Sequence, residues 1–174
     1  MKTRDYITET FLEYPDNSSV AVIFYCGGCD RKCPGCHNTE LQNYTLFNPK
    51  LTVALLVEYC ERLNTNKIVL CGGDPLYSKN VELTKYICST LGSDYDICIY
   101  TGADIEEVKQ LDLKGFKFIK CGIFDRNQYI GATKTDEFIR FATKNQELYD
   151  ADLNLLSKDG VYYYDNGRYN KKTN

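Results

Sequence analysis

No stretch of the 174-residue sequence approaches the roughly 18 uncharged apolar residues that a membrane-spanning helix requires. The opening Met-Lys-Thr-Arg-Asp-Tyr-Ile-Thr-Glu-Thr also lacks the apolar core of a secretion signal, so the chain reads as soluble and cytoplasmic, with no membrane partner. Positive charge is not in excess either. Lys and Arg number 21 against 24 Asp and Glu, a formal net charge of −3, which leaves no broad basic face for nucleic acid. A small anionic substrate could still find a local positive site. No internal repeat, low-complexity tract or linker marks a second domain. At 43% hydrophobic and 26% charged residues, the composition suits one globular domain over residues 1–174.

Cysteine, by contrast, is plentiful. Without a secretion signal, nine cysteines argue against a disulfide framework, because cytosolic thiols stay reduced. Five of them, Cys60, Cys71, Cys88, Cys98 and Cys121, are scattered in apolar surroundings and read as small core residues. The other four crowd into eleven residues. Cys29, Cys33 and Cys36 have the spacing C-x3-C-x2-C within Cys-Gly-Gly-Cys-Asp-Arg-Lys-Cys-Pro-Gly-Cys-His-Asn. Three thiolates from one short loop can hold three irons of a cubic 4Fe-4S cluster and leave the fourth iron open. An open metal position implies chemistry, by the logic that separates catalytic from closed structural zinc sites. If Cys26 joins, four thiolates could instead form a closed zinc site or a fully ligated electron-transfer cluster, although three residues between the two C-x2-C halves is short for zinc modules.

The organisation around this loop is read from hydrophobic pattern. Val20 to Tyr25 is a continuous apolar run suited to a strand buried on both faces, and the cysteine loop begins where it ends. Leu51 to Leu63 repeats Leu51, Leu55, Tyr59 and Leu63 as a helical row, and Lys67 to Cys71 is a second strand closed by Gly72 and Gly73. A helix over Lys79 to Leu91 stops at Gly92, and Asp96 to Tyr100 is a third strand, after which Thr101 could cap a helix carrying Asp104, Glu106 and Glu107. Phe116 to Cys121 is strand four. Alternating strands and helices predict an α/β protein with a mostly parallel sheet, and since eight such units need roughly 250 residues, any (βα) barrel is incomplete. The core spans about 18–124. Beyond it the pattern fades, with a hairpin expected over Leu153 to Tyr164, turning at Lys158-Asp159-Gly160 within an extension of about 147–165, and a frayed polar end over 165–174. The fifteen tyrosines are spread along the chain as packing surface.

In an open parallel sheet, ligands gather at the carboxyl ends of the strands, where the cysteine loop falls. Gly27, Gly28 and Gly35 keep side-chain bulk away from it. The loop resembles the signature of the radical S-adenosylmethionine (SAM) enzymes, C-x3-C-x2-C after the first strand of a partial barrel. The resemblance implies that Cys29, Cys33 and Cys36 ligate the cluster and that SAM chelates the open iron. One electron from the reduced cluster then cleaves SAM to methionine and a 5′-deoxyadenosyl radical. Cys26 becomes a bystander. Gly72-Gly73-Asp74-Pro75, after the second strand, matches that family's Gly-Gly-Glu/Asp-Pro, whose carbonyls and acid help hold the methionine amino group. The flank of the third cysteine, Gly35, Cys36 and the sole histidine His37, is placed by the same resemblance beside the adenine. Gly35 stands where many members have an aromatic.

Within the superfamily, Cys-Pro-Gly-Cys-His-Asn, Gly-Gly-Asp-Pro-Leu, Tyr100-Thr101-Gly102 and Cys121-Gly122-Ile123-Phe124 are similar to the activating enzymes of anaerobic (class III) ribonucleotide reductases. The likeness covers about residues 11–150. It departs at Cys121, where the family has an acid, and at Ala142 and Glu147, which replace a Gly and an Arg. It implies an oxidoreductase that makes a glycyl radical on the large subunit of the anaerobic reductase, fed by an external one-electron donor such as a flavodoxin. A different glycyl-radical partner or a 7-deazaguanine-type substrate is the alternative within the superfamily, and a non-enzymatic zinc or electron-transfer module the alternative outside it.

Overall fold

The structure, a computed structural model, describes residues 2–17 and 20–164. The expected frayed end over 165–174 lies outside the described residues. Strands β1 (Ile7–Thr10), β2 (Ala21–Cys26), β3 (Lys67–Gly72), β4 (Asp96–Tyr100), β5 (Phe118–Cys121) and β8 (Glu147–Asp150) form one sheet in the order β1-β2-β3-β4-β5-β8. β2 through β5 run parallel, and β1 and β8 add antiparallel edges. Helices α1 (Pro49–Leu63), α2 (Val81–Leu91) and α3 (Ile105–Lys109) make the three crossovers between the parallel strands. A second sheet joins β6 (Thr133–Lys134), β7 (Phe138–Arg140) and β9 (Val161–Tyr163). Among the described residues, no helix is long and apolar enough to cross a membrane.

The central strands lack polar alternation because both of their faces are buried. Val22, Phe24, Ile68, Leu70, Ile97, Ile99 and Ile119 pack with Leu55, Leu56, Ile87 and Leu91 of the helices. On the opposite face Ala21, Ile23, Val69, Cys71 and Cys98 meet Tyr14, and Ile139, Phe141 and Leu148 pack against Tyr100 and Phe118. All five scattered cysteines are buried in these cores, and burial pushes the Cys60, Cys88 and Cys121 thiols up to about 12.

Element ends follow local chemistry. α1 starts two residues before the apolar row because the Asn48 side chain accepts the Leu51 N–H at 3.0 Å and Pro49 supplies a preset φ. α2 starts at Val81, after Asn80, and the Gly92 N–H closes it onto the Cys88 carbonyl. Thr101 does not cap α3. Asp104 does, accepting the Glu107 N–H while the Glu107 carboxylate accepts the Asp104 N–H, a reciprocal capping box. The expected hairpin is also revised. Its tight turn forms, with Asp159 and Gly160 at positive φ and paired bonds between Lys158 and Val161. The strand leaving it, β9, pairs with β7, whereas Leu156 on the other side bonds to the Leu148 carbonyl.

Ile99, fully buried at the centre of the parallel strands, tests this packing. Ile99→Ala is expected to cost about 2–5 kcal/mol in urea unfolding, and a loss below about 1 kcal/mol would contradict the packing described.

Candidate functional site

The cysteine loop leaves β2 and the Gly72–Pro75 turn leaves β3, at the carboxyl ends of paired strands. Backbone bonds continue past the ladder: the Gly73 N–H donates to the Cys26 carbonyl at 2.7 Å and the Asp74 N–H to the Gly28 carbonyl at 2.8 Å. The Asn80 amide, freed from capping α2, donates to the carbonyls of Gly27, Gly28 and Asp74. Asn38 donates to the Gly72 carbonyl at 3.4 Å. Glycine is required where the loops touch. A Cβ on Gly73 would lie 2.4 Å from the Gly28 carbonyl oxygen, and Gly28 itself sits at φ 111°.

Cys29, Cys33 and Cys36 are free, half-buried, and line one cavity of about 430 Å³ together with His37, Gly72, Gly73 and Asp74. The Cys36 N–H donates to the Cys33 carbonyl, closing the turn at Pro34-Gly35. Burial raises the Cys29 thiol, and the Arg31 backbone opposes this. Among the described residues, no three His, Cys, Asp or Glu converge to hold a single metal ion. A cluster makes a different demand, since it takes each thiolate on a separate iron. Three reduced thiols spaced around one cavity fit that donor set. Cys26 is fully buried among Phe24, Leu70 and their neighbours in the helix-side core and does not line the cavity.

Not every expected site residue reaches the cavity. Gly35, at φ 78°, lines a neighbouring recess of about 440 Å³ with Phe124, Arg126 and Tyr129. His37 borders both spaces, with its ring edge-on to Phe124 at 5.5 Å. Pro75 is buried away from the cavity, and its carbonyl accepts the Thr84 hydroxyl at 2.7 Å. Cys121, where an acid would follow the family pattern, turns into the helix-side core, Ala142 lines the cavity, and Glu147 accepts the Tyr149 hydroxyl.

Asp74 borders the cavity, yet its carboxylate is 1% exposed and already engaged. One oxygen accepts from the Thr101 hydroxyl at 2.7 Å and the Leu76 N–H at 2.9 Å. The other accepts from the Gly102 N–H at 3.2 Å and Arg31 Nε at 3.4 Å. Its side chain is thus a structural hub, bordering the cavity beside Gly72 and Gly73.

Arg31, inside the C-x3-C segment, forks onto Glu107 with bonds of 2.9 and 3.0 Å. Burial opposes its charge, but Glu107 and Asp74 outweigh this and raise its pKa. Arg31, Asn38, Asn80, Thr101, Glu107 and Lys120 were not among the expected site residues. Their signals are faint: an Arg between ligand cysteines, an Asn after the histidine, a Lys inside an apolar strand.

A family described as a 4Fe-4S single cluster domain matches residues 18–147, most of the chain, which sets the class of protein: an iron-sulfur domain holding one cluster. The anaerobic ribonucleoside-triphosphate reductase-activating protein of Enterobacteria phage T4 is 30% identical over 122 residues, covering 66% of this chain and 78% of that protein. The protein of the same name from Pasteurella multocida (strain Pm70) is 27% identical over 96 residues, covering 49% of this chain and 58% of its own length. The chain belongs to the 4Fe-4S single cluster domain family and to the same group as these two activating proteins. No solved structure matches.

Two predictions follow from the hub and its outlying acid. Asp74→Ala strips four donors of their acceptor and is expected to cost about 2–4 kcal/mol of stability, read by thermal or urea unfolding; an unchanged midpoint would refute the hub. Glu107 is held below the usual carboxylate range by its bond to Arg31 and then by the Asp104 N–H. A depressed folded pKa gives stability that is present above the unfolded value of about 4.3 and lost as pH falls through the folded pKa. The melting-temperature gap between the wild type and Glu107→Gln should therefore be open at neutral pH and close on acidification. It should be small, because the pair is partly exposed.

Proposed function

We propose that this protein is a radical SAM activase that generates a glycyl radical on the large subunit of an anaerobic ribonucleotide reductase. The observation that carries the reading is the shared cavity. Three free cysteines from a C-x3-C-x2-C loop and the backbone of Gly72-Gly73 line it together, and backbone hydrogen bonds hold the two loops in register. Cys29, Cys33 and Cys36 would each ligate one iron of a 4Fe-4S cluster. The Gly72–Gly73 segment would offer carbonyls to the ammonium of SAM, and His37 with Phe124 would flank the adenine. On this reading, the parallel strands β2 to β5 with their three crossover helices are the shortened (βα) barrel of the superfamily.

A 4Fe-4S cluster held by Cys29, Cys33 and Cys36 would supply the electron for reductive cleavage of SAM and so for hydrogen-atom abstraction from the target glycine, and an external donor such as flavodoxin would replace that electron. The chain's own task is positional. Abstraction needs the reacting atoms nearly in contact, so a loop of the reductase must reach the cavity. Leu12 and Ile123 line the cavity and are 60% and 44% exposed, an apolar margin suited to such a loop. The names of the two relatives favour this partner over a small-molecule substrate. A soluble protein of the cytoplasm suits the reduced thiols and the electron donor.

The test is anaerobic reconstitution with iron and sulfide, followed by electron paramagnetic resonance with SAM and the cognate reductase. A glycyl radical signal is expected; its absence from a reduced, cluster-loaded mixture would refute the proposal. Cys29→Ala, Cys33→Ala or Cys36→Ala should each abolish 5′-deoxyadenosine formation. Cys26→Ala should retain it, and near-normal product from any of the first three would count against the assigned ligands.

A further inference from the structure

The segment that carries the expected ligands is anchored midway by one side chain. At its ends, the Cys29 N–H donates to the Gln42 carbonyl at 3.1 Å and the Cys36 N–H to the Cys33 carbonyl. Between them, residues 30–35 send no main-chain N–H to a main-chain carbonyl among the described residues. Lys32 stands there at φ 49°, a left-handed conformation that residues with a side chain adopt at a cost. Arg31 reaches out of this stretch and uses every nitrogen of its guanidinium, Nε on Asp74 at 3.4 Å and the two Nη atoms on Glu107 at 3.0 and 2.9 Å. Glu107 is itself fixed, because the oxygen that meets Nη1 also accepts the Asp104 N–H at 2.9 Å in the capping box of α3. Gly102 keeps the path open, since a Cβ there would lie 3.0 Å from Arg31 Cγ.

A loop that is free before it binds gives up its conformational freedom on binding, and a loop already held does not. Residues behind metal ligands matter for this reason, and losing one costs about tenfold to a hundredfold in affinity. In folding the pair counts for less. The Arg31 and Glu107 side chains are 24% and 46% exposed, so solvent screens their attraction. We infer that the Arg31–Glu107 fork is a positioning clamp that keeps the C-x3-C stretch in its ligating shape, and that cluster retention depends on it more than folding does. The inference rests on Cys29, Cys33 and Cys36 being the ligands, as proposed above, and is independent of SAM.

The test is chelator challenge of the anaerobically reconstituted protein, read as loss of the cluster's visible absorbance, beside the melting temperature of each cluster-free protein. Wild type, Arg31→Gln, Glu107→Gln and the double variant are compared. The two single changes remove opposite charges beside an anionic, three-thiolate cluster. A clamp predicts that both shed the cluster faster, by about tenfold or more, whereas a purely electrostatic role predicts opposite directions. The cluster-free single variants should melt close to wild type. The double variant should be no worse than the worse single, since each change breaks the same fork. Should Arg31→Gln not fold, Glu107→Lys takes its place; it adds positive charge but removes the acceptor, and should likewise shed the cluster faster. Opposite changes, or rates within about twofold of wild type, would overturn the clamp. So would a fall in the melting temperature of cluster-free Glu107→Gln large enough to unfold it under the assay. If the wild type takes up no cluster, the ligand assignment fails and the inference falls with it.

Discussion

The site depends on the joining of two loops by main-chain hydrogen bonds beyond the end of a parallel ladder. β2 and β3 pair up to Cys26 opposite Gly72, and the bonds from Gly73 to Cys26 and from Asp74 to Gly28 carry that register into the turns. Asn80 gathers three carbonyls from both sides. No side chain fits at Gly73, so the approach is set by backbone contact, and the place of Cys29 relative to the Gly-Gly turn follows from it. Cavity shape, thiol spacing and the seat of Arg31 are consequences of this one junction.

Charge is distributed unevenly over that frame. Asp74 has two hydrogen-bond donors for each oxygen, and Arg31 has two acids for one guanidinium, so both are internally settled. Their network ties the cysteine loop to the ends of β3 and β4 and to the first turn of α3. Lys120 is left outside it.

The parallel core was legible because its signals are redundant. β4 is found over the expected Asp96 to Tyr100, and β2 and β3 lie within a residue of their apolar runs, since burial on both faces makes composition alone decisive there. β1 and the small sheet were not legible. Ile7-Thr-Glu-Thr10 has no apolar run, and two- and three-residue strands such as Thr133–Lys134 and Phe138–Arg140 are fixed by partners distant in sequence. In the site, the spacing of Cys29, Cys33 and Cys36 and the Gly72-Gly73 pair pointed to residues that share one cavity. Pro75 and Asp74, which the motif assigns to the ligand, also hold the chain's own turns, Asp74 while bordering the cavity.

The displaced helix cap shows why such differences collect here. By sequence, Thr101 after β4 is as good a cap as Asp104. Its hydroxyl instead donates to Asp74 and accepts from the Ala103 N–H, which moves the start of α3 onto Asp104 and brings Glu107 into the first turn, where Arg31 meets it. Asn80 behaves alike, giving its amide to the loop carbonyls and not to the first turn of α2. In both places a local preference yields to the demand for donors at a buried acid and at crowded carbonyls. Those demands arise where two loops are pressed together around a cavity, so departures from local propensity mark the site as surely as the cysteine spacing does.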